Sequence, residues 1–215
     1  MAEYEKRDVE KANKICEPGV PYTVKPVKKQ GEYTIEDYLA WPEDERIELI
    51  DGVIYDMAAP TGVHQLIIGK LHSLILNYIE KNKGKCIPVF SPIDVQLDRD
   101  NRTMVQPDLI VLCKRDKFQM GRVFGEPDLV VEVLSPSSKK KDTVIKLNKY
   151  RNAGVREYWV VDPDKKNIVV YDLENNAGLT LYSFMDKIPV GIFEGKCEVD
   201  FAEVYQYVSF LYEED

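Results

Sequence analysis

The stretch PDLVVEVLSPSSKKKD, Pro127 to Asp142, decides how this chain is read. Val-Val-Glu-Val-Leu has the composition of a buried strand, yet Glu132 stands in its middle. An ionised carboxylate taken out of water without a partner is very costly. Glu132 therefore has a partner, faces a cleft, or does not lie on a buried strand. The serines that follow lead into a run of lysines, which reads as the start of a helix over about 139–153, closed by Gly154.

Working outward, upstream of this strand lie two more strand-like segments, CIPVFSPIDVQL (86–97) and TMVQPDLIVLC (103–113). Before them, Leu66, Ile67, Leu71, Leu74, Ile75, Tyr78 and Ile79 recur at three and four, so Gly62 to Lys83 reads as an amphipathic helix with Gly84 as its terminal cap. RIELIDGVIYDMA (46–58) reads as a hairpin about Asp51-Gly52. Thr34 opens a short helix that ends near Pro42. Downstream, VREYWVVDP (155–163) is a strand, residues 167–200 alternate as short strands with turns at Asn175-Asn176 and Glu194-Gly195, and Asp200 caps a terminal helix. Residues 1–30 lack apolar periodicity and read as a loose arm, leaving 31–215 as a single domain. The order predicts an α/β fold, a mixed β-sheet core flanked by helices, with an N-terminal hairpin and a C-terminal run of short strands.

Composition narrows the function classes. The chain is 44% hydrophobic and 31% charged, with no apolar run long enough to span a membrane. The charged N-terminus is no secretory signal. Four scattered cysteines without a CxxC pair argue against a zinc ribbon or a disulfide framework and fit a reducing cytoplasm. Two histidines exclude a His-rich metal site. Net charge is -8, but from Lys114 to Arg156 eleven Lys/Arg stand against five Asp/Glu. That segment could meet a polyanion, with Lys139, Lys140, Lys141 and Lys149 as phosphate contacts, or could simply be a solvated charged face.

The chemistry turns on which Pro-Asp pair belongs with Glu132. Asp128 and Glu132 share a strand face but stand roughly 13 Å apart, too far for one ion. Asp108 lies on the preceding strand-like segment. If the two strands are neighbours, roughly 5 Å apart, the carboxylates converge. Converging carboxylates repel unless a cation lies between them or one is protonated. Oxygen-only donors point to Mg²⁺ or Mn²⁺.

Pro107-Asp108, Glu132-Val133-Leu134 with Ser135-Pro136-Ser137, Asp142, Lys146, Tyr150, Gly154-Val155 and Glu157-Tyr158-Trp159, in that order and spacing, resemble the putative restriction endonuclease family of the PD-(D/E)XK nuclease superfamily. The likeness runs from about Tyr33 to Asp200 and includes ERIELIDG and His64 at the head of the long helix. It implies Asp108 and Glu132 as metal ligands in a nuclease hydrolysing DNA phosphodiesters. The superfamily expects a lysine two residues after the acid; Leu134 stands there, and Lys146 on the next helix is the candidate for its role. Lys149 is the rival, offset by only about 60 degrees on a helix, and the family pattern favours Lys146. On this reading Lys146→Ala abolishes cleavage and leaves folding nearly intact. Glu48, His64 and Tyr150 are supporting candidates. An enzyme that cuts both strands often works as a pair, so the family reading also raises a homodimer.

Each residue has an ordinary alternative. Glu132 could pair with a structural Arg or Lys, and Asp108 could end a strand before a turn. Glu48 could be structural, His64 a capping or packing residue, Lys146 a solvated side chain and Tyr150 core. The competing functions are a nuclease, a nuclease-fold protein that binds nucleic acid or a partner without cutting, and a plain structural domain. Asp108 and Glu132 facing one another across a cleft, with Lys146 above them, would favour the first.

Overall fold

A computed structural model describes residues 28–42, 44–97, 100–119, 121–135 and 138–212. Almost all of the predicted N-terminal arm, together with Pro136 and Ser137, lies outside the described residues.

Local signals set most elements. Helix α1 (Ile35–Leu39) starts at Thr34, whose N–H donates to Asp37 Oδ2 at 2.8 Å. Strands β1 (Ile47–Ile50) and β2 (Val53–Asp56) form the hairpin. Its two turn residues, Asp51 and Gly52, both take positive φ, 53° and 77°. A Cβ at Gly52 would also lie 2.7 Å from the Gly31 carbonyl oxygen, so glycine is needed there twice over. Helix α2 (Gly62–Lys81) is capped by the Thr61 side chain, which accepts from His64 N. At its far end the left-handed residue is Lys83 rather than Gly84; Gly84 instead donates to Ile79 O at 2.8 Å.

The central sheet has six strands in the order β11, β10, β9, β8, β5, β3. These are β3 (Ile87–Phe90), β5 (Leu109–Leu112), β8 (Leu129–Val133), β9 (Glu157–Asp162), β10 (Asn167–Asp172) and β11 (Gly178–Ser183). The β8–β9 pair is parallel and the other neighbours are antiparallel, so the sheet is mixed, as expected. The segment 86–97 is not one strand. It breaks after Phe90 at the cis Ser91–Pro92 bond, and β4 (Val95–Gln96) joins a separate small sheet with β6 (Phe118–Gln119) and β7 (Arg122–Phe124). Strands β12 (Lys187–Pro189) and β13 (Glu198–Asp200) pair beside helix α4 (Phe201–Val208), which Asp200 caps through Ala202 N.

The sheet is buried on both faces, which explains why β5 reads as an unbroken apolar run and β8 as one broken only by Glu132. Ile67, Ile68, Leu71, Ile75 and Ile79 of α2 pack with Leu109, Val111, Leu129, Val131 and Val133 on one face. Each such side chain contributes on the order of 2 kcal/mol of apolar burial. Ile110, Leu112, Val130 and Val160 face the other way, against Tyr150 of helix α3 (Leu147–Ala153). By alternation Glu132 points to this second face.

The cysteine expectation needs correction. Cys86 and Cys113 form a disulfide. They flank β3 and β5 where Ile87 is paired with Leu112, so the strand register makes them cross-strand neighbours across 27 residues. No spacing rule reveals such a pair. Closing a loop of this length stabilises by on the order of 3 kcal/mol. Reductant should therefore move the denaturation midpoint of wild type downward and leave a Cys86→Ser/Cys113→Ser variant unmoved; equal behaviour of the two would show that the bond does not form.

Candidate active site

The β5–β8 register pairs Leu109 with Val131. One step further along the ladder sets Asp108 opposite Glu132 on the same sheet face. The condition left open by the sequence is thus met. Asp108 Oδ2 receives two contacts, from Val133 N at 2.8 Å and His64 Nε2 at 3.0 Å. Glu132 Oε1 likewise receives two, from Lys146 Nζ at 2.9 Å and the Tyr150 hydroxyl at 2.7 Å. In both acids the second oxygen, Asp108 Oδ1 and Glu132 Oε2, has no partner among the described residues.

The hairpin brings in the third acid. Leu49 and Met104 exchange main-chain hydrogen bonds, which docks β1 against the segment before β5. This seats Glu48, wholly buried, where Oε1 accepts from Gln106 N at 3.0 Å and lies 2.6 Å from Lys146 Nζ. Lys141 Nζ stands 2.6 Å from Glu48 Oε2, so each oxygen of this acid faces a lysine.

The chain between Ser138 and α3 explains how both lysines reach Glu48. Residues Lys141–Lys146 form a π-helical segment rather than α-helix. Five residues along an α-helix would turn the two lysines about 140 degrees apart. The wider π turn returns nearly to the same face, and such turns recur at functional sites. Asp142 Oδ1 is 3.6 Å from Lys146 Nζ, a loose pair within the same segment.

These groups line one cleft of about 140 Å³, with Met57, Pro60, Ser91, Ser135 and Ser138 on its walls. Its carboxylates are Glu48, Asp56, Asp108, Glu132 and Asp142; its basic groups are Arg46, Lys141 and Lys146. Negative charge is in excess. Burial pushes the Glu132 carboxyl well above the usual range; Lys146 opposes this, while Asp142, Asp108 and Glu48 add to it. Glu48 goes the other way: its burial is outweighed by Lys146 and Lys141, which hold it below the usual range. Lys146 is raised, because its three acids outweigh its burial, and stays charged. Of the buried side-chain atoms without a hydrogen-bond partner among the described residues, His64 Nδ1 and Asp142 Oδ1 belong to this cleft. A buried polar atom of this kind can be completed by water or by a bound ion or ligand. Among the described residues no three His, Cys, Asp or Glu side chains form a complete cage. Two free carboxylate oxygens, with water in the other positions, suit Mg²⁺ or Mn²⁺.

Other predicted residues fall elsewhere. Lys149 pairs with Asp51 in the hairpin turn at 2.6 Å, away from Glu132, and Lys139 pairs with Asp162 at 3.1 Å. Lys140 is exposed. Lys141, read from sequence as a surface contact, is instead part of the cleft. Asp128 is structural: Oδ2 accepts from Cys113 N and Oδ1 pairs with Arg156. Sequence reading missed Arg46 and Gln106, for which no local signal existed, since their place depends on how the hairpin docks.

Residues 35–191 match the Uma2 family, described as putative restriction endonuclease. The chain belongs to this family. An uncharacterized Synechocystis protein, slr1290, is 32% identical over 153 residues, covering 69% of this chain and 78% of its own. The crystal structure of a putative nuclease belonging to DUF820 from Anabaena variabilis has the same fold, with a TM-score of 0.67 at 20% identity, over 81% of this chain and 98% of that one. The Uma2 chain also contains, among its described residues, no helix long and apolar enough to cross a membrane.

Two outcomes test the electrostatics. A carboxyl raised on folding stabilises fully below its unfolded value, and that contribution is lost as pH climbs through the raised one. Glu132→Gln copies the protonated acid without titrating. In metal-free buffer the two proteins should melt together in the acid range, and the variant should become the more stable as pH rises. A gap that stays constant with pH would show that Glu132 is not held neutral. Lys146→Met leaves buried acids unpaired and should cost about 3–5 kcal/mol in urea unfolding. The sequence-based expectation that removing Lys146 spares the fold is therefore revised, because its side chain is 3% exposed and shared by three acids.

Proposed function

We propose that the Uma2 chain is a divalent-metal-dependent nuclease that hydrolyses DNA phosphodiesters. The observation that supports this most is the opposed pair Asp108 and Glu132, each with one unused oxygen directed to a cleft that also holds a buried lysine. Asp108 and Glu132 would hold the ion, with Glu48 as a further acid within the same cleft. A Mg²⁺ or Mn²⁺ ion there would polarise a phosphoryl oxygen and acidify a water.

The remaining roles belong to the chain itself. His64 and Val133 N fix Asp108 through Oδ2, which leaves Oδ1 in a set direction. Tyr150 does the same for Glu132 through Oε1. Lys146 Nζ, beside Glu132, supplies the positive charge that developing phosphoryl oxygens need and that Leu134 cannot give. The proposed phosphate contacts are Lys139 and Lys140, just before the π-helical segment, Lys141 at the cleft, and Lys149, which would exchange Asp51 for a phosphate. One observation favours a second reading, a nuclease fold that binds nucleic acid without cutting: Lys146 is held by three acids and has little freedom.

Because Lys146 variants endanger the fold, Asp108→Asn carries the test. Calorimetric titration of Mn²⁺ into wild type should show one ion bound, and the variant should bind at least about tenfold more weakly. Wild type should nick plasmid DNA with Mn²⁺ or Mg²⁺, and the variant should not. Equal Mn²⁺ binding would remove the site. Metal binding without cleavage of DNA would leave the binding-only reading.

The lysine run is tested separately. Lys139→Glu/Lys140→Glu should weaken DNA binding and flatten its dependence on salt, because each neutralised phosphate releases counterions. Unchanged affinity at low salt would mean that these lysines are a solvated face.

A further inference from the structure

The outer strand of the six-stranded sheet, β11, has none of the features that protect sheet edges. Its sequence, Gly178-Leu-Thr-Leu-Tyr-Ser183, holds no charge and no proline, in a chain that is 31% charged. The opposite edge, β3, carries Pro88, which has no N–H to offer. Natural edges are normally blunted by such prolines, by lysines or by covering segments.

The hydrogen bonds of β11 tell which groups face outward. Phe184 N donates to Lys166 O, extending the ladder with β10 one residue past Ser183. Even-numbered residues therefore bond inward, and the N–H and C=O groups of Leu179 and Leu181 point away from the sheet. Ser183 N, also outward, is already taken by Asp186 Oδ2 at 2.7 Å. No main-chain hydrogen bond to the outer side of β11 exists among the described residues.

The side chains repeat the pattern. Leu179 is 60% exposed and Leu181 63%, both on one face. That face is the one on which Leu181 stands beside Val169, Val160 and Glu132 in a single cross-strand row. The apolar surface thus continues from the core to the edge and is uncovered there.

We propose that β11 joins β11 of a second copy of this chain, antiparallel about a two-fold axis through Thr180. This register is selected by three constraints. Directly opposed residues must share a face, the outward-pointing groups must meet, and Ser183 N must stay with Asp186. Centring on Thr180 meets all three: Leu179 faces Leu181 of the second copy, twice, with main-chain bonds between them. Centring on Leu181 would demand Ser183, and centring on Leu179 would demand Ala177, which lies before the strand, beyond Gly178 at φ 91°. The strand is complementary to itself, and with no charge in it the contact brings no like charges together within the ladder despite a net charge of -8 on each chain. The proposal is independent of the nuclease reading.

Sedimentation of the full chain should give twice the 24.8 kDa of one copy. Leu179→Lys/Leu181→Lys, at exposed positions, should sediment as a monomer with an unchanged melting temperature. In a Cys16→Ser background, Thr180→Cys should form a covalent dimer on mild oxidation, because the paired Cα atoms at the axis would stand about 4.5 Å apart. Ser183→Cys in the same background should not. A monomeric wild type overturns the proposal, and so does a dimer that the double lysine variant leaves intact or that Thr180→Cys fails to cross-link.

Discussion

The arrangement of the site depends on one buried ammonium. Lys146 Nζ lies 2.6 Å from Glu48, 2.9 Å from Glu132 and 3.6 Å from Asp142. Those acids sit on the hairpin, on a central strand and on the lysine's own helical segment. A single charge thereby ties three elements that also meet in one apolar cluster, through Ile50, Val130 and Ile145. Without it, three buried carboxylates would lose their shared counter-charge. With it, the hairpin has a fixed seat against the sheet, and Glu132 a fixed rotamer beneath Tyr150.

This is an expensive way to hold a fold. Well-packed apolar side chains of similar volume are often neutral or stabilising when they replace a buried ion cluster. The cluster is moreover unbalanced, with more acids than bases, and Glu132 is driven toward its neutral form as a result. Local geometry bends in the same direction. The helix takes a π turn over Lys141–Lys146 and so presents both lysines to Glu48. Departures from local rules that do not serve stability concentrate at functional sites, and here charge excess, a π turn and unpartnered atoms fall together.

What the sequence disclosed follows from the range of each interaction. The hairpin, α2 and the cap at Asp200 rest on neighbours in the chain, and all were legible. The Asp108–Glu132 pair was legible only conditionally, since it needed two strands to be adjacent. Once Leu109 pairs with Val131, the rest follows. Lys141 was misplaced for a definite reason. Helical periodicity at 3.6 residues sets it on a different face from Lys146, and nothing in the sequence announces a π turn. The Cys86–Cys113 bond was hidden because it depends on the register of β3 against β5, and the break at Ser91–Pro92 disguised where β3 ends. The docking of Gln106 and Arg46 depends on how one sheet meets another, which no short stretch encodes.

The two Pro-Asp pairs show what distinguishes a site from a scaffold in this chain. Asp108 and Asp128 follow the same residue type, precede strands of the same apolar character, and lie on adjacent strands of one sheet. Yet Asp128 gives one oxygen to Cys113 N and the other to Arg156. Both its acceptors are used within the protein, and it locks the start of β8 to the end of β5. Asp108 concentrates Val133 N and His64 on a single oxygen. Its carboxylate is equally well oriented, but half its accepting capacity remains. Glu132 repeats the arrangement across the ladder, with Lys146 and Tyr150 on Oε1 alone. Each of the two carboxylates is thus held through one oxygen while the other is left to solvent or to a group from outside the chain, which is the arrangement the proposed metal site requires.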